Sequence, residues 1–472
     1  MKIALLVSLS LMPDATRFLA LAAAFLVQSL GSAALEKAPN IVLLLADDLG
    51  FADLRCYGSP HTQTPNLDRL AAEGIRFTDF YAACAVCSPS RAALLTGRFS
   101  VRAGLYSWIH SSHRMHLRRA ETTIAKLLKG AGYATAHIGK WHLGYQLENG
   151  SGEQPSPGGH GFDHWMATGN NALPSHRNPT NFVLNGVRVN KTQGYSCQLV
   201  VDQASDWLDH HRDPQKPFFL NVWFHEPHAR VAAPHTFASR HRATSNPEYY
   251  GCIENMDHAV GRLIEKIQQM GIHDETLILF TSDNGSYMKG SNAPLRGRKT
   301  QLWEGGIRVP GIIKWPGMIE PGSVSMEPVG LVDILPTICR AANLSPPQDR
   351  VHDGVDLSPL FRGERLSRNK PLYWFYHPSR PACVIRDGDW CLTADPVINL
   401  SRKNLFLEKD IGLIKKTTLA GFQLFNLRTD AGQTTDRSLE EPERLNQMIT
   451  VMNSLHHEIM EDAYDWRHGN GL

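Results

Sequence analysis

Six short stretches carry the residues able to do polar chemistry, five of them at a helix start or just past an apolar run. One is Cys87-Ser88-Pro89-Ser90-Arg91-Ala92-Ala93-Leu94-Leu95-Thr96-Gly97-Arg98. Proline is tolerated in a first helical turn, serine is a good N-cap, alanine and leucine favour helix, and Gly97 stops it. Ser88 is expected as the N-cap. Cys87 then stands at the positive end of a helix dipole, where a developing anion is stabilised. An ordinary helix start that happens to follow a cysteine has the same pattern. Asp47 and Asp48 follow the apolar run 40–46, which reads as a strand buried on both faces. Open α/β sheets place ligands at that strand edge, and adjacent aspartates repel unless a cation or solvent separates them. The pair is a cation site or a solvated loop start. Lys140 and His142 follow a strand pattern two residues apart, so both point the same way. His225-Glu226-Pro227-His228 ends the run 218–224. It is not the zinc helix H-E-x-x-H, because the second histidine is one residue too close and Pro227 disfavours helix. Ser282-Asp283-Asn284-Gly285 closes a strand at 277–281, and Arg298-Lys299 lies in a polar loop beyond it. Asp47, Asp48, Asp283 and Asn284 offer only oxygen, which suits Ca²⁺ better than zinc, and Mg²⁺ fits the same donors. Cys84 and Cys87 spell C-x-x-C, but no second such pair or histidine pair stands at zinc spacing.

The stretch 87–98 resembles the sulfatase signature Cys-x-Pro-Ser-Arg-x-x-x-Leu-Thr-Gly-Arg, with every fixed position matched. Gly139-Lys140-Trp141-His142-Leu143-Gly144, the Asp47-Asp48 pair, 282–285 and 295–310 resemble further sulfatase segments in family order, covering about residues 39 to 465. The look is that of the arylsulfatase A and N-acetylgalactosamine-6-sulfatase branch. The resemblance implies that Cys87 is oxidised by a maturation enzyme to formylglycine, an aldehyde whose hydrate is the nucleophile. It implies Ca²⁺ on Asp47, Asp48, Asp283, Asn284 and the modified Cys87. Lys140 and Lys299 then bind sulfate, and Arg91 holds the hydrate and the metal ligands in place. His225, rather than His228, protonates the leaving alcohol, and His142 takes the proton that lets the diol collapse and expel sulfate. The C-x-x-C with Cys84 becomes incidental. Two positions depart from the family pattern: Arg298 stands where glycine is usual, and Gln433 where an acidic residue is frequent.

These residues need elements to carry them. Strands are expected at 40–46, 133–138, 218–224, 277–281 and 312–315. Helices are expected at 65–74, 87–97, 120–132, 196–211, 247–271 and 331–342. Buried strands alternating with helices imply an α/β fold. The resemblance makes it alkaline-phosphatase-like, with a large mixed, mainly parallel sheet between helices. Residues 145–196 read as loops over the site, with 169–178 the most polar. From about residue 369 short strands alternate (371–376, 383–386, 389–394, 422–427) before a helix at 439–461, a small C-terminal α+β subdomain with an antiparallel sheet. The expected division is 1–34, 35–366 and 367–472.

The chain has 472 residues, 42% hydrophobic and 20% charged, with a formal net charge of +2, which argues against a nucleic-acid partner. Residues 18–30 are apolar behind Arg17 and precede Gly31-Ser32-Ala33-Ala34, a secretory signal peptide pattern. Its core is about a dozen residues, short of the roughly 20 of a membrane span. Export to a periplasmic, secreted or lysosome-like compartment is expected, without a stable membrane anchor. Eight cysteines make no disulfide framework, though Cys383 and Cys391 flank the turn signal Asp387-Gly388 and are placed to pair in an oxidising compartment. The implied activity is hydrolysis of a sulfate monoester on a sulfated saccharide or aryl sulfate. The alternatives are a phosphate or phosphonate ester hydrolase on the same fold, and a non-catalytic glycan-binding homologue with Cys87 unconverted.

Overall fold

In the computed structural model residues 38–149, 154–398 and 406–468 are described. The expected signal peptide lies outside them. The apolar run at the start becomes β1 (Asn40–Asp47), buried along its whole length. It pairs in parallel with β7 (Phe218–Pro227) on one side and β8 (Thr276–Ser282) on the other. β3 (Ala134–Lys140) lies parallel beyond β7, and β4 (His164–Thr168) beyond β3. β2 (Ile75–Tyr81) and β9 (Arg308–Lys314) extend the other flank, β9 antiparallel to both β8 and β2. With β5 (Val183–Leu184), β6 (Val187–Arg188), β10 (Ser323–Ser325) and β11 (Val329–Gly330), the described residues form an eleven-stranded mixed sheet. Its centre is the parallel order β8-β1-β7-β3, so four strands end at one edge.

Helices cover the sheet: α1 (Pro65–Ala72), α2 (Cys87–Thr96), α3 (Ile124–Gly130), α4 (Ser196–Asp206), α5 (Pro247–Gln269) and α6 (Ile334–Ala341). The apolar faces of α4 and α5 close with β1, β7 and β8 over the main core, where Val42, Leu44, Val222, Ile253, Met256 and Phe280 are fully buried. α3 begins at Ile124 rather than at 120, because the Thr123 side chain accepts from Lys126 N and caps it there. Gly139 has φ +118, and a Cβ there would lie 1.9 Å from the Trp223 carbonyl oxygen, so β3 meets β7 at this point only through glycine.

Beyond residue 366, β12 (Leu372–Phe375), β13 (Cys383–Asp387), β14 (Trp390–Pro396) and β15 (Leu419–Asn426) form an antiparallel sheet followed by α7 (Pro442–Asp462). Residues 39–472 are one compact unit, both sheets included. The expected Cys383–Cys391 pairing does not occur. The hairpin register sets Cys383 opposite Ala394 and Cys391 opposite Arg386, and both thiols are free. Among the described residues no helix is long and apolar enough to cross a membrane.

Candidate active site

α2 is buried at every position, and its cap lies two residues before the expected Ser88. Val86, extended, is the N-cap, Cys87 is the first helical residue, and Gly97 at φ 65 closes the helix. Ser88 is not the cap; its Oγ accepts from Ile109 N at 3.0 Å and ties the helix start to the 107–110 loop. Cys87 thus stands at the positive end of α2, facing the edge where β1, β3 and β8 end.

That edge brings together residues up to 252 positions apart in sequence (47 to 299). Cys87 Sγ lies 3.7 Å from Asp47 Oδ1, 3.7 Å from Lys140 Nζ and 3.6 Å from Lys299 Nζ. Lys140 Nζ is 2.6 Å from Asp47 Oδ2, and Lys299 Nζ is 2.7 Å from an Asp48 carboxylate oxygen. Arg91, one turn into α2, donates from Nε and Nη2 to Asp283 Oδ2 at 2.9 and 2.7 Å, and from Nη1 to the Lys140 carbonyl at 3.2 Å. Its guanidinium also lies 5.0 Å over the Trp223 ring. Asn284 Nδ2 donates to Asp48 Oδ1 at 2.7 Å. Three carboxylates meet three fixed cations, all buried, at the floor of a cavity.

The residues present fit a divalent cation. Asn284 Oδ1 is buried and has no hydrogen-bond partner, an acceptor left over beside three carboxylates. Asp47, Asp48, Cys87 and His228 each offer a ligand atom within 4.8 Å of one another. The oxygens among these donors, from Asp47, Asp48 and Asn284, suit hard ions such as Ca²⁺. Asp48 (φ 65) and His142 (φ 52) both adopt left-handed backbone, as does Thr300 (φ 73) beside Lys299. Such strain in non-glycine residues, one of them β-branched, collects where function requires it.

The histidines divide differently from expectation. His142 Nε2–H donates to the Ile109 carbonyl at 2.8 Å, which leaves Nδ1 as a buried acceptor with no partner beside the cavity. Burial, then Lys140, holds this imidazole well below its ordinary pKa, so it is neutral. His225 does not reach the cavity. Its Nε2 bonds Thr168 Oγ1 and its Nδ1 bonds Ser196 Oγ, both at 2.7 Å, with the ring 1% exposed. His228 lines the cavity instead, with Nε2 3.5 Å from Asp48 Oδ2. His225, expected to face the leaving group, is thus enclosed by Thr168 and Ser196, and His228 is the histidine of this segment on the cavity wall.

Residues 39–344 match the family model described as sulfatase. The chain belongs to the sulfatase family. It is similar to N-acetylgalactosamine-6-sulfatase of Canis lupus familiaris, 36% identical over 73% of this chain and 70% of that protein. It is also similar to arylsulfatase A of Homo sapiens, 38% identical over 74% and 72%. Among solved structures, Ps i-CgsB in complex with k-i-k-neocarrahexaose superposes with a TM-score of 0.77 at 27% identity, covering 91% of this chain and 94% of that one. The fold is alkaline-phosphatase-like, and the protein is a sulfuric ester hydrolase.

In this sulfatase the Cys87 thiol is itself a poor nucleophile: burial pushes it up to about 12 against the two lysines. Burial also opposes the Asp47 carboxylate, but Lys140, His228, Arg91 and Lys299 together hold it well below the usual range. Asp283 is pushed up, by burial first and then by Asp47 and Asp48 against Arg91. A cation among the three would relieve that crowding. The two departures from the family pattern are also placed. Arg298 is exposed and lies 5.0 Å over the Tyr287 ring rather than in the sulfate site. Gln433 Oε1 accepts from Glu304 N at 2.9 Å and its carbonyl accepts from Arg296 Nη1 at 2.9 Å, so the C-terminal subdomain grips the loop that carries Lys299. Asn171, whose Oδ1 lies 3.4 Å from Lys140 Nζ, comes from the polar loop over the site, whereas reading along the chain missed Tyr249 on the cavity wall. Asn171 lies in the polar stretch 169–178; no signal marked Tyr249, on the long helix expected at 247–271.

Proposed function

We propose that this sulfatase hydrolyses the sulfate monoester of a saccharide, with position 87 oxidised to formylglycine and Ca²⁺ held by Asp47, Asp48, Asp283 and Asn284. The observation that carries the reading is Cys87 Sγ at 3.6–3.7 Å from two lysines and an aspartate, at a helix N-terminus, beside an unpartnered buried Asn284 oxygen. The aldehyde hydrate supplies a nucleophilic oxygen that a thiol cannot, and the cation supplies positive charge where that oxygen turns anionic. Lys140 and Lys299 bind the non-bridging sulfate oxygens; with a cation on Asp47 and Asp48, neither carboxylate needs its lysine. Arg91 fixes Asp283 in two hydrogen bonds and so orients the cation side of the site. His142 Nδ1 accepts a proton from the group at position 87, its tautomer set by Ile109. His228 Nε2 gives a proton to the bridging oxygen as the S–O bond breaks. An arriving sulfate monoanion favours the imidazolium there, against the burial and Lys299 that lower it. Export through residues 1–34 and a maturation enzyme acting on Cys87 belong to the same reading.

The test is the intact mass of the tryptic peptide spanning position 87 in active enzyme. Formylglycine makes it about 18 Da lighter than the cysteine form. Full turnover of an aryl sulfate by protein carrying only unmodified cysteine would overturn the reading.

A further inference from the structure

Behind Lys299 stand three buried side chains with no part in the chemistry described so far: Asp53, Tyr249 and Ser286. Each comes from a different element. Asp53 lies in the loop after β1, five residues past Asp48. Tyr249 lies in the first turn of α5, and Ser286 lies in the loop after β8, two residues past Asn284.

Hydrogen bonds join them into a chain that ends at Lys299. Tyr249 Oη donates to Asp53 Oδ2 at 2.6 Å, and the same carboxylate oxygen accepts from Gly50 N at 2.8 Å. The phenol oxygen also lies 2.8 Å from Ser286 Oγ and accepts from Ser291 Oγ at 3.4 Å. The Ser286 carbonyl accepts from Lys299 N at 3.2 Å. Asn292 braces Ser286 at both backbone groups: its Oδ1 accepts from Ser286 N at 3.0 Å, and its Nδ2 donates to the Ser286 carbonyl at 2.8 Å. Beyond Lys299, Thr300 N donates at 2.8 Å to the carbonyl of Ala85, two residues before Cys87. The backbone at Lys299 is therefore pinned to Ser286 on one side and to the run into α2 on the other. Lys299 Nζ, 2.7 Å from an Asp48 carboxylate oxygen, closes the circuit. It leads from Asp48 through Gly50, Asp53, Tyr249 and Ser286 to Lys299 and back.

Each side-chain atom named in this circuit has a partner, and a satisfied buried polar network holds its members rigidly. Burial pushes Asp53 up to about 7, opposed by hydrogen bonds from Tyr249, Ser291 and Gly50, all uncharged. Core packing asks only for the ring of Tyr249. Burying a hydroxyl together with the carboxyl that receives it is costly unless the pair fixes geometry.

We propose that Tyr249 is a positioning residue: its hydroxyl, anchored on Asp53, holds Ser286 and through it sets where the Lys299 ammonium stands over position 87. This role rests on the sulfate-ester reading above, in which Lys299 binds sulfate, and adds to it residues that act only through Lys299. Once Asp48 serves a cation, the backbone anchors alone fix that ammonium. Loss of the Tyr249 hydroxyl should then show in sulfate binding rather than in the chemical step.

Tyr249→Phe keeps the ring and removes the hydroxyl. On the mature enzyme with 4-nitrophenyl sulfate it is expected to raise KM, and the inhibition constant of inorganic sulfate, about tenfold, with kcat within about threefold of wild type. Ser286→Ala cuts the link on its other side and is expected to act in the same direction. The deciding measurement is a double-mutant cycle with Lys299→Ala, read in kcat/KM. Tyr249→Phe is expected to cost about tenfold when Lys299 is present and less than about twofold when it is alanine. Unchanged KM and sulfate inhibition in Tyr249→Phe, or equal losses in the two backgrounds, overturns the positioning role. Wild-type enzyme that turns over no 4-nitrophenyl sulfate overturns the sulfate-ester reading itself and this role with it.

Discussion

The proposed exchange of roles between His225 and His228 is open to a direct test, and two substitutions separate them. His228→Asn removes a ring that borders the cavity at 3.5 Å from Asp48 and that no other side chain needs for support. A general acid contributes about 10²–10⁴ in rate, or about 3–5.5 kcal/mol of barrier. The loss should fall on a saccharide sulfate, whose alkoxide leaves poorly, and should stay within about tenfold on 4-nitrophenyl sulfate, whose phenolate needs little protonation. The melting temperature should hardly move. His225→Asn removes a ring bonded at both nitrogens inside the protein, to Thr168 and Ser196. Two buried hydroxyls then lose a partner at about 1–3 kcal/mol each. For a unit of this length, with about 2 cal/mol/K of unfolding entropy per residue, the melting temperature drops by roughly 2–6 °C. Any activity loss should be similar for both substrates. The assay is kcat/KM on the two substrates beside calorimetric melting of each variant. If His225→Asn melts like wild type and loses only the saccharide reaction, while His228→Asn leaves that reaction intact, the geometric reasoning fails.

Removing divalent cations with a chelator should abolish turnover and lower the melting temperature, because Asp283 then sits unrelieved beside Asp47 and Asp48. Ca²⁺ should restore both, and melting curves that ignore chelator and Ca²⁺ would count against the site. His456, far from the chemistry, accepts from the Tyr373 hydroxyl at 2.8 Å and is held by burial at about 4. Its folded pKa is depressed, so the unfolded chain takes up the proton first and stability is lost as pH falls from about 6.5 to 4, by up to about 3 kcal/mol. His456→Gln should be less stable than wild type at pH 7, and the gap should narrow by that amount at pH 4; parallel denaturation midpoints across the window would refute it.

Much of this site was legible along the chain because it lies where secondary structure ends. A buried run followed by Asp-Asp, a strand followed by Lys-x-His and a helix opened by Cys87 are local patterns, and a parallel sheet gathers such ends at one edge. The sequence by itself therefore determined the fold class, the sulfatase resemblance and the main charged groups of the site. Elements whose ends depend on one side-chain contact escaped it: Thr123 starts α3 four residues late, and Val86 rather than Ser88 caps α2. Which of His225 and His228 reaches the cavity was decided only by tertiary structure. Leu45 pairs with Trp223 but Asp47 pairs with Pro227, so β7 advances four residues where β1 advances two. That irregularity breaks the two-residue alternation from which side-chain direction is read. The hydroxyls of Thr168 and Ser196, from β4 and α4, then claim His225, and the turn carries His228 over Asp48. The cavity wall is nonlocal in the same way. Asn170 reaches the wall of the cavity over Cys87 because β4 lies next to β3, a neighbourhood that exists only once the sheet has formed.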